Sequence, residues 1–287
     1  MSIINLHRVN TQNLGDLICA PALYFNELQD VPRLEILGFE VQENPEEKVE
    51  DWLAKFNTAD HIIIGGGGLL GIDFFKRALN FIFSNKKKGA RTILWGAGHN
   101  QQQINDWNQL HYQVDLKDYS FDLIGIRDVN HQGFQWVPCA SCLSESFNKN
   151  YEIKSEFAVY LHADGHYTTQ FLQSLPTGTK ILTNHSTNFD EIISLIGSTN
   201  CLLTNSFHGA YWATLLGRKC IAFPSTSKFY SLMHPLPLCS PEDWKRFIKL
   251  ATTYPDALDE CRTANRIFAE SVFDLINYDG CIKGDHA

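Results

Sequence analysis

The sequence predicts an α/β protein made of two βα domains that face a central cleft. Three observations carry that expectation. Short aliphatic and β-branched runs alternate with amphipathic stretches of helical period. The alternation stops once, over the polar and irregular stretch from Pro138 to Glu156, and then starts again. Glycine-rich or polar loops follow the strands, where open parallel sheets place their ligands. The expected domains are residues 1–145 and 146–287, the second carrying terminal helices that pack back.

In the first domain, Ile3-Ile4-Asn5-Leu6 is an apolar run of strand length, and Gly15 to Leu28 reads as a helix. Leu34 to Leu37 is a second strand. Glu46 to Phe56 is a helix, because Val49, Trp52, Leu53 and Phe56 recur on one face. His61-Ile62-Ile63-Ile64 is a buried strand that runs into four glycines, and Asp73 to Phe83 is a helix. Thr92 to Trp95 is a strand ending in a Gly96-Ala97-Gly98 turn, and Asp122 to Ile126 is another strand. Pro138 to Glu156 reads as an interdomain linker.

The second domain repeats the pattern. Phe157 to Leu161, Lys180 to Leu182, Cys201 to Leu203 and Cys220 to Phe223 are strands; Tyr167 to Leu175, Phe189 to Ile196 and Gly209 to Leu216 are helices. Pro241 to Tyr278 is helical, with Trp244, Phe247, Ile248, Leu258, Ile267, Phe268, Val272 and Leu275 at core spacing. Strands joined by helices in this order lie parallel.

Composition narrows the function. The 287 residues hold 24 Lys and Arg against 32 Asp and Glu, a net charge of −8, and 44% are hydrophobic. That supplies a core, so wholesale disorder is excluded. The acidic balance argues against nucleic acid as a partner. No apolar run approaches the roughly 20 residues of a membrane-spanning helix. The N-terminus reads as a strand rather than a secretory leader. Eight cysteines are irregularly spaced, and only Cys139 and Cys142 form a C-x-x-C pair. Without a second pair of ligand spacing, they read as reduced thiols rather than a metal or redox centre. The chain is expected in the cytoplasm.

Five loops carry candidate chemistry. Asn13-Leu14-Gly15-Asp16 opens the first helix and reads either as an anion site or as a cap. Gly66, Gly67 and Gly68 follow the third strand. Gly66, Gly68 and Gly71 match a dinucleotide fingerprint literally, but the next strand ends without the acidic residue that fingerprint needs, so what remains is backbone a ligand can approach. Gly96, Gly98 and His99 follow the fourth strand. Arg127-Asp128 follows the fifth, where Arg127 reads either as a carboxylate or phosphate ligand or as a salt bridge that pins the loop. Asn205-Ser206-Phe207-His208-Gly209 joins a strand to a helix, which puts Ser206 and His208 at a positive helix end. No nucleophile elbow surrounds Ser206.

In this order, the N-x-G-D of 13–16, the glycine run after Ile62-Ile63-Ile64, the Gly96-Ala97-Gly98 turn, the Ile-Arg-Asp of 126–128 and the Thr-Asn-Ser-Phe-His-Gly of 204–209 resemble the polysaccharide pyruvyl transferase family. The resemblance implies two Rossmann-like domains in a GT-B-like arrangement. It also implies transfer of the enolpyruvyl unit of phosphoenolpyruvate to two sugar hydroxyls, with loss of phosphate. Where many members carry Arg-x-His-Gly, this chain has Ser206-Phe207-His208-Gly209.

On that reading the donor needs cations and N–H groups, which Arg127, Lys228, His208 and the glycine-rich loops supply. His208 is expected to act as the acid or as a phosphate ligand, titrating near 6.5. Asp16 or Asp128 is expected to take the sugar hydroxyl proton. No metal or cofactor is called for. The partners implied are phosphoenolpyruvate and a glycan or lipid-linked sugar acceptor. A lipid-linked acceptor would bring the protein to the inner membrane face, with Lys86-Lys87-Lys88 beside Phe81-Ile82-Phe83 as the candidate patch. Two other readings share the scaffold. One is a sugar-nucleotide glycosyltransferase using Asp190 or Glu191 on the donor, and the other is a non-catalytic carbohydrate-binding or assembly protein.

Overall fold

The aliphatic runs form two parallel sheets. The computed structural model describes residues 1–40, 49–104, 106–110, 115–131, 133–163, 165, 167–185 and 188–284, with backbone alone for 107 and 278–284. The first sheet holds β1 (Ile3–His7), β2 (Arg33–Glu35), β3 (His61–Ile64), β4 (Gly67–Leu70), β5 (Arg91–His99), β6 (Leu123–Ile126) and β7 (Gln135–Trp136). Its order is β2-β1-β3-β5-β6-β7, with β4 also on β5. The second holds β8 (Ser155–Leu161), β9 (Lys180–Thr183), β10 (Thr199–Thr204) and β11 (Lys219–Ala222), in the order β11-β10-β8-β9. Every pairing within the two sheets is parallel.

The strands end in the order the sequence predicts, and the helices differ more. The expected helix from Gly15 to Leu28 is α1 (Leu14–Leu17) followed by two 3-10 turns, Pro21–Leu23 and Asn26–Leu28. Pro21 opens the first of these turns and cannot continue a helix from above it. α2 (Val49–Thr58) buries Trp52 and Phe56. The start expected for that helix at 46–48 lies outside the described residues. α3 (Asp73–Asn85) buries Phe75, Ala78, Leu79 and Ile82, one face at helical spacing. In place of a turn at Gly96-Ala97-Gly98, β5 continues to His99, with a register shift against β6 between Trp95 and Ala97.

α4 (Thr169–Ser174) and α5 (Phe189–Gly197) flank the second sheet. α6 (Phe207–Leu215) is buried at all nine positions. It packs on β10, β11, α5 and a terminal helix, so it needs no polar face. The expected helical stretch from Pro241 is broken: α7 (Trp244–Phe247) and two 3-10 turns precede α8 (Ala257–Gly284). α8 packs Phe268, Val272 and Ile276 with Ile93 and Trp95 of the first sheet and with Val137 just past β7. Trp95 Nε1 donates to Asn265 Oδ1 at 3.0 Å inside that contact. Each large apolar side chain buried this way is worth roughly 1.5–3 kcal/mol.

The stretch from Pro138 to Glu156 is not an exposed linker at its start. Cys139, Ala140, Ser141 and Cys142 are buried in a 3-10 turn that packs on α8. Small side chains let the backbone pass close, and Arg262 binds its carbonyls at Cys142 and Ser144. Two lysines of the 86–88 cluster have partners. Lys86 donates to Thr92 Oγ1, Lys87 pairs with Asp60 at 2.8 Å, and Ile82 beside them is buried. Among the described residues no helix is long and apolar enough to cross a membrane.

Candidate functional site

A cavity of about 310 Å³ is lined by residues from both sheets' loops. The wall is built where strands end, as expected for open parallel sheets. Past β1, Asn13 caps α1: its Oδ1 accepts from Gly15 N at 3.2 Å, and its Nδ2 donates to Asp16 Oδ2 at 2.9 Å. That places the Asp16 carboxyl on the cavity wall. Gly66, just before β4, and Gly67 and Gly68, which open β4, form another part of the wall. Past β6 comes Arg127, and past β10 come Ser206, Phe207 and His208. Lys228 stands in the 3-10 turn Ser227–Phe229. Two hydrogen bonds lock that turn to the segment that follows β5: Ser227 N donates to the Gln101 carbonyl at 2.8 Å, and Gln101 N donates to Ser227 Oγ at 2.9 Å.

The cationic groups set the character of the site. Arg127 is 5% exposed, and Nε, Nη1 and Nη2 have no hydrogen-bond partner among the described residues. Its guanidinium carbon lies 3.9 Å from the ring centroid of Phe207. No carboxylate among the described residues pairs with it, so the salt-bridge reading of Arg127 is not what is found. Burial, and then Arg127 nearby, pulls the Lys228 ammonium down to about 8. Among the described residues Asp16 is the one carboxylate on the wall. Burial raises it above the ordinary carboxylate range, against the pull of Lys228, Arg127, His162 and Arg8. A chain of net charge −8 thus holds a locally positive cavity.

His208 differs from the expected imidazole titrating near 6.5. Burial, with Arg127 and Lys228 close by, holds it well below that value, so it is neutral. Its Nε2 lies 3.7 Å from Cys139 Sγ. Ser206 caps α6, accepting from Gly209 N at 3.4 Å.

The remaining candidates stand behind the wall. Asp128 is buried, accepts from His99 N at 2.6 Å, and is raised to about 6 by burial. It holds the loop and lies outside the cavity lining, not on the wall where its expected role as a base would place it. His99 is buried and lowered to about 3 by burial, with His131 and Arg127 adding to it. Asn205 Oδ1 accepts from His162 N at 2.6 Å. Gly96 lies inside β5, and the α-carbon of Gly209 sits against Thr204 and Tyr160. Gly15 and Gly98 serve by close approach: a Cβ would lie 2.0 Å from His208 Nδ1 at Gly15, and 2.1 Å from Arg127 Nε at Gly98.

Sequence reasoning missed Arg8, Asn100, His162 and Phe207 on the wall. Arg8 directly follows β1 and His162 directly follows β8, so a polar residue one step beyond a strand was the available signal. Arg8 also pairs with Glu35 at 3.4 Å. Asp190 does not line the cavity; it binds Lys149 at 2.9 Å and Ser146 at 2.7 Å on the surface.

Comparison with known proteins adds three findings. A model of the polysaccharide pyruvyl transferase family matches residues 13–227. The fold is similar to that of Methanocaldococcus jannaschii UDP-GlcNAc 2-epimerase, solved with UDP-GlcNAc and UDP. The match has a TM-score of 0.52 and 13% identity, and it covers 95% of this chain and 99% of that one. An uncharacterized protein from Klebsiella pneumoniae subsp. pneumoniae NTUH-K2044 matches with a TM-score of 0.44 and 14% identity, over 78% of this chain and 83% of that one. No curated protein matches in sequence. The architecture is GT-B-like, with two Rossmann-like sheets.

Proposed function

The chain belongs to the polysaccharide pyruvyl transferase family, and we propose that it moves the pyruvyl unit of phosphoenolpyruvate onto two hydroxyls of a glycan or lipid-linked sugar. The observation that carries the donor assignment is Arg127, a buried guanidinium on the wall of the cavity with no hydrogen-bond partner among the described residues. A buried cation without a partner costs several kcal/mol. A ligand rich in negative charge removes that cost, and phosphoenolpyruvate brings a phosphate and a carboxylate. Lys228 is the second cation that meets them, and the glycines of 66–68 let the donor lie against backbone.

The chemistry needs one proton carrier. Asp16, whose carboxyl burial pushes toward the protonated form, gives its proton to the donor's methylene carbon, which becomes the methyl group. The first sugar hydroxyl attacks the neighbouring carbon, and its proton goes to Asp16, which is restored. The second hydroxyl attacks the same carbon as the C–O bond to phosphate breaks, and phosphate leaves with that hydroxyl's proton. His208, neutral at the start, serves the leaving phosphate as a hydrogen-bond partner and not as the acid. No cofactor takes part in this sequence.

Thermal-shift titration tests the donor. Stabilisation by phosphoenolpyruvate, with phosphate release once an acceptor sugar is added, is the expected result. Stabilisation by UDP-sugars and not by phosphoenolpyruvate would overturn it.

A further inference from the structure

A buried hydrogen-bond chain ends on His208. Trp212 Nε1 donates to Ser141 Oγ at 3.1 Å. Ser141 Oγ lies 3.2 Å from Cys139 Sγ, and Cys139 Sγ lies 3.7 Å from His208 Nε2. All four residues are buried, and Tyr211 anchors the turn by donating to the Cys139 carbonyl at 2.9 Å.

The direction of the chain follows from its ends. An indole N–H can only donate. Ser141 Oγ therefore accepts from Trp212, and among the described residues its own proton has only the Cys139 sulfur to meet. The sulfur accepts on that side, so its proton turns to the other neighbour, His208 Nε2. A lone pair must then stand on Nε2, and the single ring proton of a neutral imidazole must stand on Nδ1.

We propose that Cys139, Ser141 and Trp212 are positioning residues that fix His208 as its Nδ1–H tautomer, so that the imidazole offers a hydrogen-bond donor, and no base, to the anion in the cavity. Burial supports the neutral pair from both sides: it raises the thiol, so Cys139 keeps the proton it donates, and lowers the imidazole. The first cysteine of the C-x-x-C pair thereby gains a role that is neither metal binding nor redox. The N–H meets the phosphate oxygen that gathers charge as the C–O bond breaks, a consequence that rests on the donor reading above. The tautomer itself does not.

The test is ring-15N histidine labelling of the full chain without ligand at pH 8, with the His208 signals identified by their loss in His208→Gln. The expected spectrum has a protonated, pyrrole-type Nδ1 and an unprotonated, pyridine-type Nε2. A protonated Nε2, in either a neutral or a cationic ring, overturns the proposal. If His208→Gln does not fold, Cys139→Ser identifies the signals by shifting Nε2 while leaving the proton on Nδ1. Cys139→Ala should mix the tautomers, and kcat/KM falls about fivefold if the competent form drops to about a fifth. Cys139→Ser should restore both readouts. An unmixed Nδ1–H spectrum in Cys139→Ala would show that the chain does not set the tautomer. A correct spectrum in a protein that does not turn over phosphoenolpyruvate leaves the tautomer standing and removes the donor reading.

Discussion

Arg127 stacks on Phe207 at 3.9 Å, a contact between the end of β6 in the first sheet and the first residue of α6 beside the second. The ring face holds the cation without using any of its N–H groups, so all remain available to a ligand. The contact also ties the two sheets together at the cavity.

Arg127→Met should separate binding from stability. It removes a buried cation that has no hydrogen-bond partner among the described residues, so the free protein should melt no lower than the parent and even a few degrees higher. The KM for phosphoenolpyruvate should rise on the order of a hundredfold, about 2.7 kcal/mol for lost charge-assisted hydrogen bonds. A melting point several degrees lower, with unchanged KM, would make Arg127 a structural group. Calorimetry and steady-state kinetics on the same preparation read both.

Lys228 makes donor binding pH-dependent. Its ammonium is pulled down to about 8 by burial and Arg127. Between about 8 and its ordinary value of 10.5, the unfolded chain holds a proton that the folded one has lost, so this group makes the free protein more stable as pH rises through that window. Binding runs the other way, because the anion needs the ammonium. Above pH 8 the KM for phosphoenolpyruvate should climb up to tenfold per pH unit, and Lys228→Met should flatten that rise. A profile without an inflection near 8 in the parent would remove Lys228 from the site.

Most strands were legible because β-branched runs bounded by glycine or polar residues have few other uses. The site was less legible, for reasons of direction and packing. Arg127 and Asp128 are neighbours past one strand, and successive side chains there point to opposite sides. Arg127 enters the cavity and Asp128 turns back to His99, which spacing alone does not distinguish. Gly15 and Gly98 were read as parts of the ligand surface, whereas each makes room for a side chain distant in sequence. Cys139 to Cys142 looks like linker because small residues carry no periodic signal, although the whole turn is buried.

Asp16→Asn keeps the acceptor for Asn13 and removes the transferable proton. kcat should fall roughly a hundredfold to ten-thousandfold, the usual range for a lost general acid or base. The KM for the donor should stay level or drop, because a negative charge has left a cavity that binds an anion. In the parent, burial raises the Asp16 pKa, so kcat should hold past the ordinary carboxylate range and decline as pH rises above the shifted value. Turnover within threefold of the parent in Asp16→Asn would exclude this carboxyl as the proton carrier.

Gly98→Ala tests whether the glycine past Trp95 acts through Arg127. A Cβ there would stand 2.1 Å from Nε, 2.5 Å from Cγ and 2.7 Å from Cδ of Arg127, so the whole side chain must leave its seat on Phe207. The KM for phosphoenolpyruvate should then rise nearly as far as in Arg127→Met. The double variant should be no worse than Arg127→Met alone, because both changes remove the same interaction. Effects that multiply would mean that Gly98 acts on the site by another route, such as strain in β5, and a double-mutant cycle on KM separates the two.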